Sequence, residues 1–215
     1  MCYEYETREV WFKRDELQIY GLLYLPKKAG RLAAFIICHG FGASYLELEK
    51  DAVMLAKAGY AALLFDFCGG GGMMSDGAFT EMSIFTEEKD LKAVLAGVKA
   101  MEEVDDRQIY LMGESQGGAV AAMVAADCRD AVRGLVLLYP AFNIPDYVRA
   151  RLEQFGDTPE AYRVLGWNVG KVYAEGVGEY DLYEDARRYD RPTLIIHGDK
   201  DELVPIAYAE RAAEA

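Results

Sequence analysis

Short apolar runs alternate along this chain with longer segments of helical period, and that alternation limits its fold more than any other feature. Runs at 33–38, 61–65, 109–112, 135–139 and 193–197 are each apolar and are followed closely by Gly, Asp or Pro. A strand buried on both faces reads as an unbroken apolar run, and parallel neighbours need crossovers long enough to hold a helix. The pattern predicts an α/β fold, a mostly parallel sheet with helices on both faces. Between the second and third runs, Leu91, Val94, Leu95, Val98 and Met101 recur at helical spacing, with Ser83 as N-cap. Upstream, Val10-Trp11-Phe12 and residues 17–25 flank the polar Lys13-Arg14-Asp15-Glu16, which predicts an antiparallel hairpin at one sheet edge.

From 142 to 189 the alternation lapses, and this stretch of 48 residues carries nine of the 26 aromatics. It is expected to be a cap inserted into a single domain spanning residues 1–215, a length that supports one sizeable core without any Pro-, Ser- or charge-rich break. The net charge of −13 makes nucleic acid and anionic membranes poor partners. The densest basic clusters, Lys27-Lys28 and Arg187-Arg188, are pairs in mixed sequence and read as solvated surface. Cys2, Cys38, Cys68 and Cys128 show no CxxC spacing, so reduced thiols are expected. The N-terminus is acidic, without the basic and apolar regions of a secretory signal, and no apolar stretch reaches membrane-spanning length; a cytoplasmic protein is expected.

The most informative segment is Ile109-Tyr110-Leu111-Met112-Gly113-Glu114-Ser115-Gln116-Gly117-Gly118, a buried strand running into Gly-x-Ser-x-Gly and then a small-residue helix over 119–126. A serine hydroxyl attacks a carbonyl only if it projects clear of the backbone, and a tight strand-to-helix turn achieves this while straining the serine. Gly113 and Gly117 make room for the turn. Ser115 is therefore the candidate nucleophile, and the free Gln116 N–H at the helix start is a candidate oxyanion donor. A second donor is expected from the loop after the first parallel strand, Cys38-His39-Gly40-Phe41-Gly42. The Phe41 N–H is the candidate, with Gly40 allowing close backbone approach and His39 orienting the loop.

The acid is expected after the last apolar run, in His197-Gly198-Asp199-Lys200-Asp201-Glu202. Asp201 is chosen over Asp199, which sits at the tight turn and is expected to accept backbone N–H groups there. Serine followed by aspartate is the chain order this chemistry takes when histidine comes last.

These residues resemble the α/β-hydrolases of the bacterial cinnamoyl (feruloyl) esterase type. The resemblance spans nearly the whole chain and rests on His39-Gly40-Phe41-Gly42, on Phe65-Asp66-Phe67 with Ser75-Asp76-Gly77, on Gly113 to Gly118, and on His197-Gly198 with Asp201. It implies Ser115 as nucleophile, Asp201 as acid, the backbones of Phe41 and Gln116 as oxyanion donors, and a cap at 142–189 that helps bind an aromatic acyl group. Tyr147, Phe155, Tyr162, Trp167 and Tyr173 either line such a pocket or pack the cap onto the body.

Two departures stand out. Relatives more often carry a shorter loop with a histidine between glycines where this chain has Cys68-Gly69-Gly70-Gly71-Gly72-Met73-Met74; no Lys-Ser or Lys-Thr follows, so a phosphate loop is not expected and a flexible connector is. Relatives also place their histidine in a loop beyond one more helix and strand, whereas this chain has two histidines, His39 and His197, and neither matches that position. The expectation is a fragment ending inside the helix 206–215, with impaired turnover and a sheet edge open to self-association.

The function expected is carboxylic ester hydrolysis through an acyl-enzyme on Ser115, with no metal or cofactor, on a small-molecule ester. A serine peptidase or acyl thioesterase uses the same apparatus. A non-catalytic binding module that has dispensed with its base is the reading from another class.

Overall fold

The computed structural model describes residues 2–156 and 158–215; the side chain of Phe155 lies outside what it describes. Seven strands form the main sheet, in the spatial order β1 (Tyr5–Arg14), β2 (Leu17–Pro26), β4 (Ala61–Phe65), β3 (Leu32–Cys38), β5 (Val104–Glu114), β6 (Gly134–Leu138) and β9 (Thr193–Ile196). The pairs β1/β2 and β2/β4 are antiparallel, and every pairing from β4 to β9 is parallel. The expected edge hairpin and parallel series are both present.

The period-2 alternation of a strand sorts the core onto two faces. Ile37, Leu64 and Met112 pack with α1 (Glu49–Ala58) on one face. Their neighbours Ile36, Leu63 and Leu111 pack with α2 (Ile84–Lys99) and α3 (Ser115–Asp127) on the other. Ser83 caps α2, its Oγ accepting the Thr86 N–H at 3.3 Å while Thr86 Oγ1 accepts the Ser83 N–H at 2.8 Å. The apolar stripe of α2 is buried as its spacing requires, except that Met101 lies beyond the helix end at Lys99.

Two features differ from expectation. β5 begins at Val104 rather than Ile109, because Val104 pairs with Leu32 across a register shift that polar Asp105 and Asp106 conceal in the sequence. α3, by contrast, begins at Ser115, as expected of the turn, and its Gly117 and Gly118 let the helix approach other backbone closely. The 69–72 glycines do not form a flexible connector. Gly69 and Gly70 donate to Asp76 O and Phe67 O, and a Cβ on Gly71 would lie 2.2 Å from Gly42 O and one on Gly72 2.0 Å from Asp66 Oδ2. These glycines are needed for close packing against the 39–42 loop and Asp66.

Segment 142–189 leaves the sheet after β6 and returns at β9. It contains α4 (Ile144–Phe155), a hairpin of β7 (Ala161–Val164) and β8 (Trp167–Gly170), two 3-10 turns and α5 (Leu182–Arg188). The turn of that hairpin places Leu165 and Gly166 at φ 47° and 90°, the left-handed pairing that a two-residue hairpin turn uses. α6 (Ala207–Glu214) follows β9. Among the described residues no helix is long and apolar enough to cross a membrane.

Candidate functional site

The strand ends of β3 and β5 and the start of α3 converge on one cleft. Ser115 is the first residue of α3 and holds φ 49°, a left-handed conformation that a side chain adopts at a cost. The fold leaves no gentler route: a Cβ on Gly113 would lie 2.4 Å from Gly117 O, and one on Gly117 would lie 2.3 Å from His39 O. The glycines on both sides of Ser115 thus let strand, helix and the 39–42 loop meet within backbone contact.

Ser115, Gln116 and Phe41 line the same cleft, which encloses about 80 Å3, together with Ile144, Val164 and Tyr173 among others. As the second residue of α3, Gln116 has no intrahelical acceptor for its N–H. Among the described residues the Phe41 N–H also has no protein acceptor. Both candidate donors therefore stand unpaired beside Ser115, at the positive end of the helix dipole.

The 39–42 loop is held from two directions. Burial lowers the His39 pKa, so the ring is neutral; Nδ1–H donates to Gly40 O at 2.8 Å and Nε2 accepts the Phe67 N–H at 3.1 Å. Both ring nitrogens are thereby committed to backbone. The Gly40 N–H donates to Glu114 Oε1 at 3.3 Å, which ties the loop to the residue preceding Ser115. Glu114 carries no role in the sequence reading, since a surface-type residue inside Gly-x-Ser-x-Gly looks like filler.

Asp201 lies on the loop after β9, two residues before Leu203, which lines the cleft. Asp201 Oδ1 accepts the N–H groups of Leu203 and Val204, each at 2.9 Å, so the turn-bonding expected of Asp199 belongs to Asp201 instead. The turn closes two residues later than the Gly198-Asp199 pair suggests. The second oxygen of Asp201 is 3.5 Å from His197 Nε2, which lies closer, at 2.7 Å, to Val204 O. His197 is therefore an inward-facing support of the Asp201 loop.

Of the aromatics named above in segment 142–189, Tyr147 and Tyr173 line the cleft. Trp167 stacks on Phe79 with centroids 4.6 Å apart, and Tyr162 lies under the Arg151 guanidinium. Among the described residues no group of three or more His, Cys, Asp or Glu side chains is placed to hold a metal ion.

A parallel sheet crossed by helices, with a strained serine between strand and helix at the carboxyl end of its central strands, defines an α/β-hydrolase. The chain belongs to the serine aminopeptidase S33 family, which it matches over residues 30–177. It is similar to Est1E of Butyrivibrio proteoclasticus in a structure with bound ferulic acid, at TM-score 0.82 and 28% identity over 94% of this chain and 85% of that one. It is also 27% identical to the acetyl esterase Axe7A of Xylanibacter ruminicola, over 87% of this chain and 46% of that protein. An uncharacterized protein of Mycobacterium tuberculosis is 25% identical over 94% of this chain, which spans 64% of that relative's length.

Proposed function

We propose that the protein is a serine esterase acting on small carboxylic esters, with segment 142–189 as a cap over the site. Ser115 Oγ attacks the acyl carbonyl carbon, its proton passing to a general base. The carbonyl oxygen becomes an oxyanion held by the N–H groups of Phe41 and Gln116, and the alcohol leaves with a proton from the same base. Water then releases the acid from the acyl-enzyme. Asp201 orients the base. His39 has both nitrogens engaged and His197 faces its own loop, so the reading takes the base from a histidine outside residues 1–215.

The observation that carries this reading is the strained Ser115 beside two unpaired N–H groups in one cleft. Esters are favoured over peptides with a free N-terminus because, among the described residues, no Asp or Glu lines the cleft to receive an ammonium group. The similarity to an acetyl esterase and to a ferulic acid complex supports the same choice, and of these acyl classes the aromatic one would use Tyr147 and Tyr173.

The test is hydrolysis of 4-nitrophenyl acetate and a cinnamoyl ester by the full-length protein and its Ser115→Ala variant. Turnover is expected in the former, with a loss of about 10⁴-fold or more in the latter. Absence of any Ser115-dependent release from either ester would sink the proposal, and cleavage of aminoacyl anilides alone would move it to the peptidase reading.

A further inference from the structure

The Gln116 side chain is not needed to explain the elbow, yet it is 1% exposed and points into the protein. A buried carboxamide is costly unless both of its ends are satisfied. Its Nε2 donates to Glu87 Oε2 at 2.9 Å and lies 3.4 Å from Met82 Sδ, and its Oε1 accepts the Tyr173 hydroxyl at 2.9 Å. Glu87 comes from α2 and Tyr173 from the cap, and both are buried. Three elements distant in sequence thus meet on one side chain, that of the residue whose N–H is a proposed oxyanion donor.

Tyr173 also meets the second donor's residue. Its ring packs edge-on against Phe41 at 5.4 Å, Phe41 packs against Phe79 at 5.3 Å, and Phe79 stacks on Trp167 of the cap. The cap is therefore joined to Phe41 through rings and to Gln116 through a hydrogen bond.

The carboxyl of Glu87 is suited to this setting. The titratable groups facing it are Asp90 on its own helix, Cys38 on β3 and Tyr173, and Asp90 is itself paired with Arg14. Burial, foremost, pushes the Glu87 carboxyl well above its usual range, against the Gln116 hydrogen bond, which lowers it. A neutral acid accepts the carboxamide N–H without placing an unpaired charge in the core.

We infer that Glu87 and Tyr173 are positioning residues that act through the Gln116 carboxamide, so that cap placement and oxyanion-donor placement are one coupled unit. This rests on the esterase reading for its catalytic consequence, although the coupling itself is structural. Oxyanion donors work only when aimed at the developing charge, and small misplacements are costly.

The experiment uses the full-length protein with 4-nitrophenyl acetate, together with hydrogen exchange of residues 170–177. Glu87→Leu and Tyr173→Phe are each expected to lower kcat about tenfold, less than the ~100-fold of losing a donor outright, with KM nearly unchanged. The double variant should also lose about tenfold rather than a hundredfold, because each single change breaks the same lock. Glu87→Gln keeps an acceptor for Gln116 and should stay within about twofold of the parent. Exchange at 170–177 should rise about tenfold in Glu87→Leu, though Glu87 makes no hydrogen bond to that segment. A fully multiplicative double variant, or unchanged exchange at 170–177, overturns the inference. Should the parent hydrolyse no ester, the esterase reading fails, and the exchange result alone decides whether the coupling stands.

Discussion

The Tyr139 hydroxyl donates to Glu114 Oε2 at 2.6 Å, while the other oxygen of the same carboxylate accepts the Gly40 N–H at 3.3 Å. One side chain thereby joins the end of β6, the elbow and the 39–42 loop. Burial, and then this hydrogen bond, push the Tyr139 pKa upward, so the phenol remains a donor. Tyr139→Phe should cost about 1 kcal/mol, the ordinary worth of one hydrogen bond, and Glu114→Ala about 2 kcal/mol because it releases both partners. Urea denaturation of the two variants measures this, and equal losses would mean that the Gly40 contact contributes nothing.

Ser115 holds its left-handed backbone without the freedom of glycine. Ser115→Ala keeps the strain and removes the hydroxyl, whereas Ser115→Gly removes both. The glycine variant should therefore be more stable than the alanine variant by about 1 kcal/mol, a Tm difference of about 2–4 °C, with both inactive. A glycine variant that melts at or below the alanine variant would show that the turn is unstrained.

Glycines 71 and 198 should respond oppositely to alanine. A Cβ at 71 would lie 2.2 Å from the Gly42 carbonyl, backbone that cannot rotate away, whereas a Cβ at 198 meets nothing within 4 Å. Gly71→Ala should cost about 2–3 kcal/mol, and Gly198→Ala should stay within about 0.5 kcal/mol of the parent. Denaturant midpoints of the pair check it. A Gly71→Ala protein of parental stability would mean that the loop yields easily.

The sheet and the elbow were legible because their signals are local: unbroken apolar runs, and a serine between glycines at a strand end. The hairpin within 142–189 was not, since its strands are four residues each and its turn is an unremarkable Leu165-Gly166. The placement of Gln116 was half legible: its backbone at the start of α3, but not its buried side chain. A signal for Glu87 did exist, because it lies three residues after Ile84 and four before Leu91 on the apolar stripe of α2, where a carboxyl must be buried. What such a carboxyl faces depends on contacts with residues 29 and more positions away, which spacing does not encode. Which aspartate accepts the N–H groups of the turn was likewise not legible, because that depends on where the turn closes.

Glu87 also makes stability depend on pH. Its carboxyl ionises near 4.5 when unfolded, while burial holds the folded form protonated to higher pH. The folded state then binds the extra proton, so stability falls as pH rises above about 4.5 and levels off past the folded value, with a slope of at most about 1.4 kcal/mol per pH unit. Asp90, raised chiefly by burial, contributes in the same direction. Glu87→Gln should flatten part of this slope between pH 5 and 8 in urea denaturation; parallel slopes would show that Glu87 is ionised in the folded protein.

The far edge of the sheet supplies the last expectation. In β9, Leu194 is 54% and Ile196 52% exposed, on the same face as their half-buried partners Val136 and Leu138 on β6. β9 pairs with β6 on one side, and among the described residues no strand pairs with its other side. Apolar side chains on an unpaired strand combine free backbone donors and acceptors with surface that gains by burial, which favours pairing with a second copy. The 215-residue chain should therefore self-associate reversibly, and placing Lys at both 194 and 196 should weaken that association about tenfold or more, worth about 1.4 kcal/mol. Sedimentation equilibrium across protein concentrations reads this directly. Association that is indifferent to the two lysines would locate the contact on another surface.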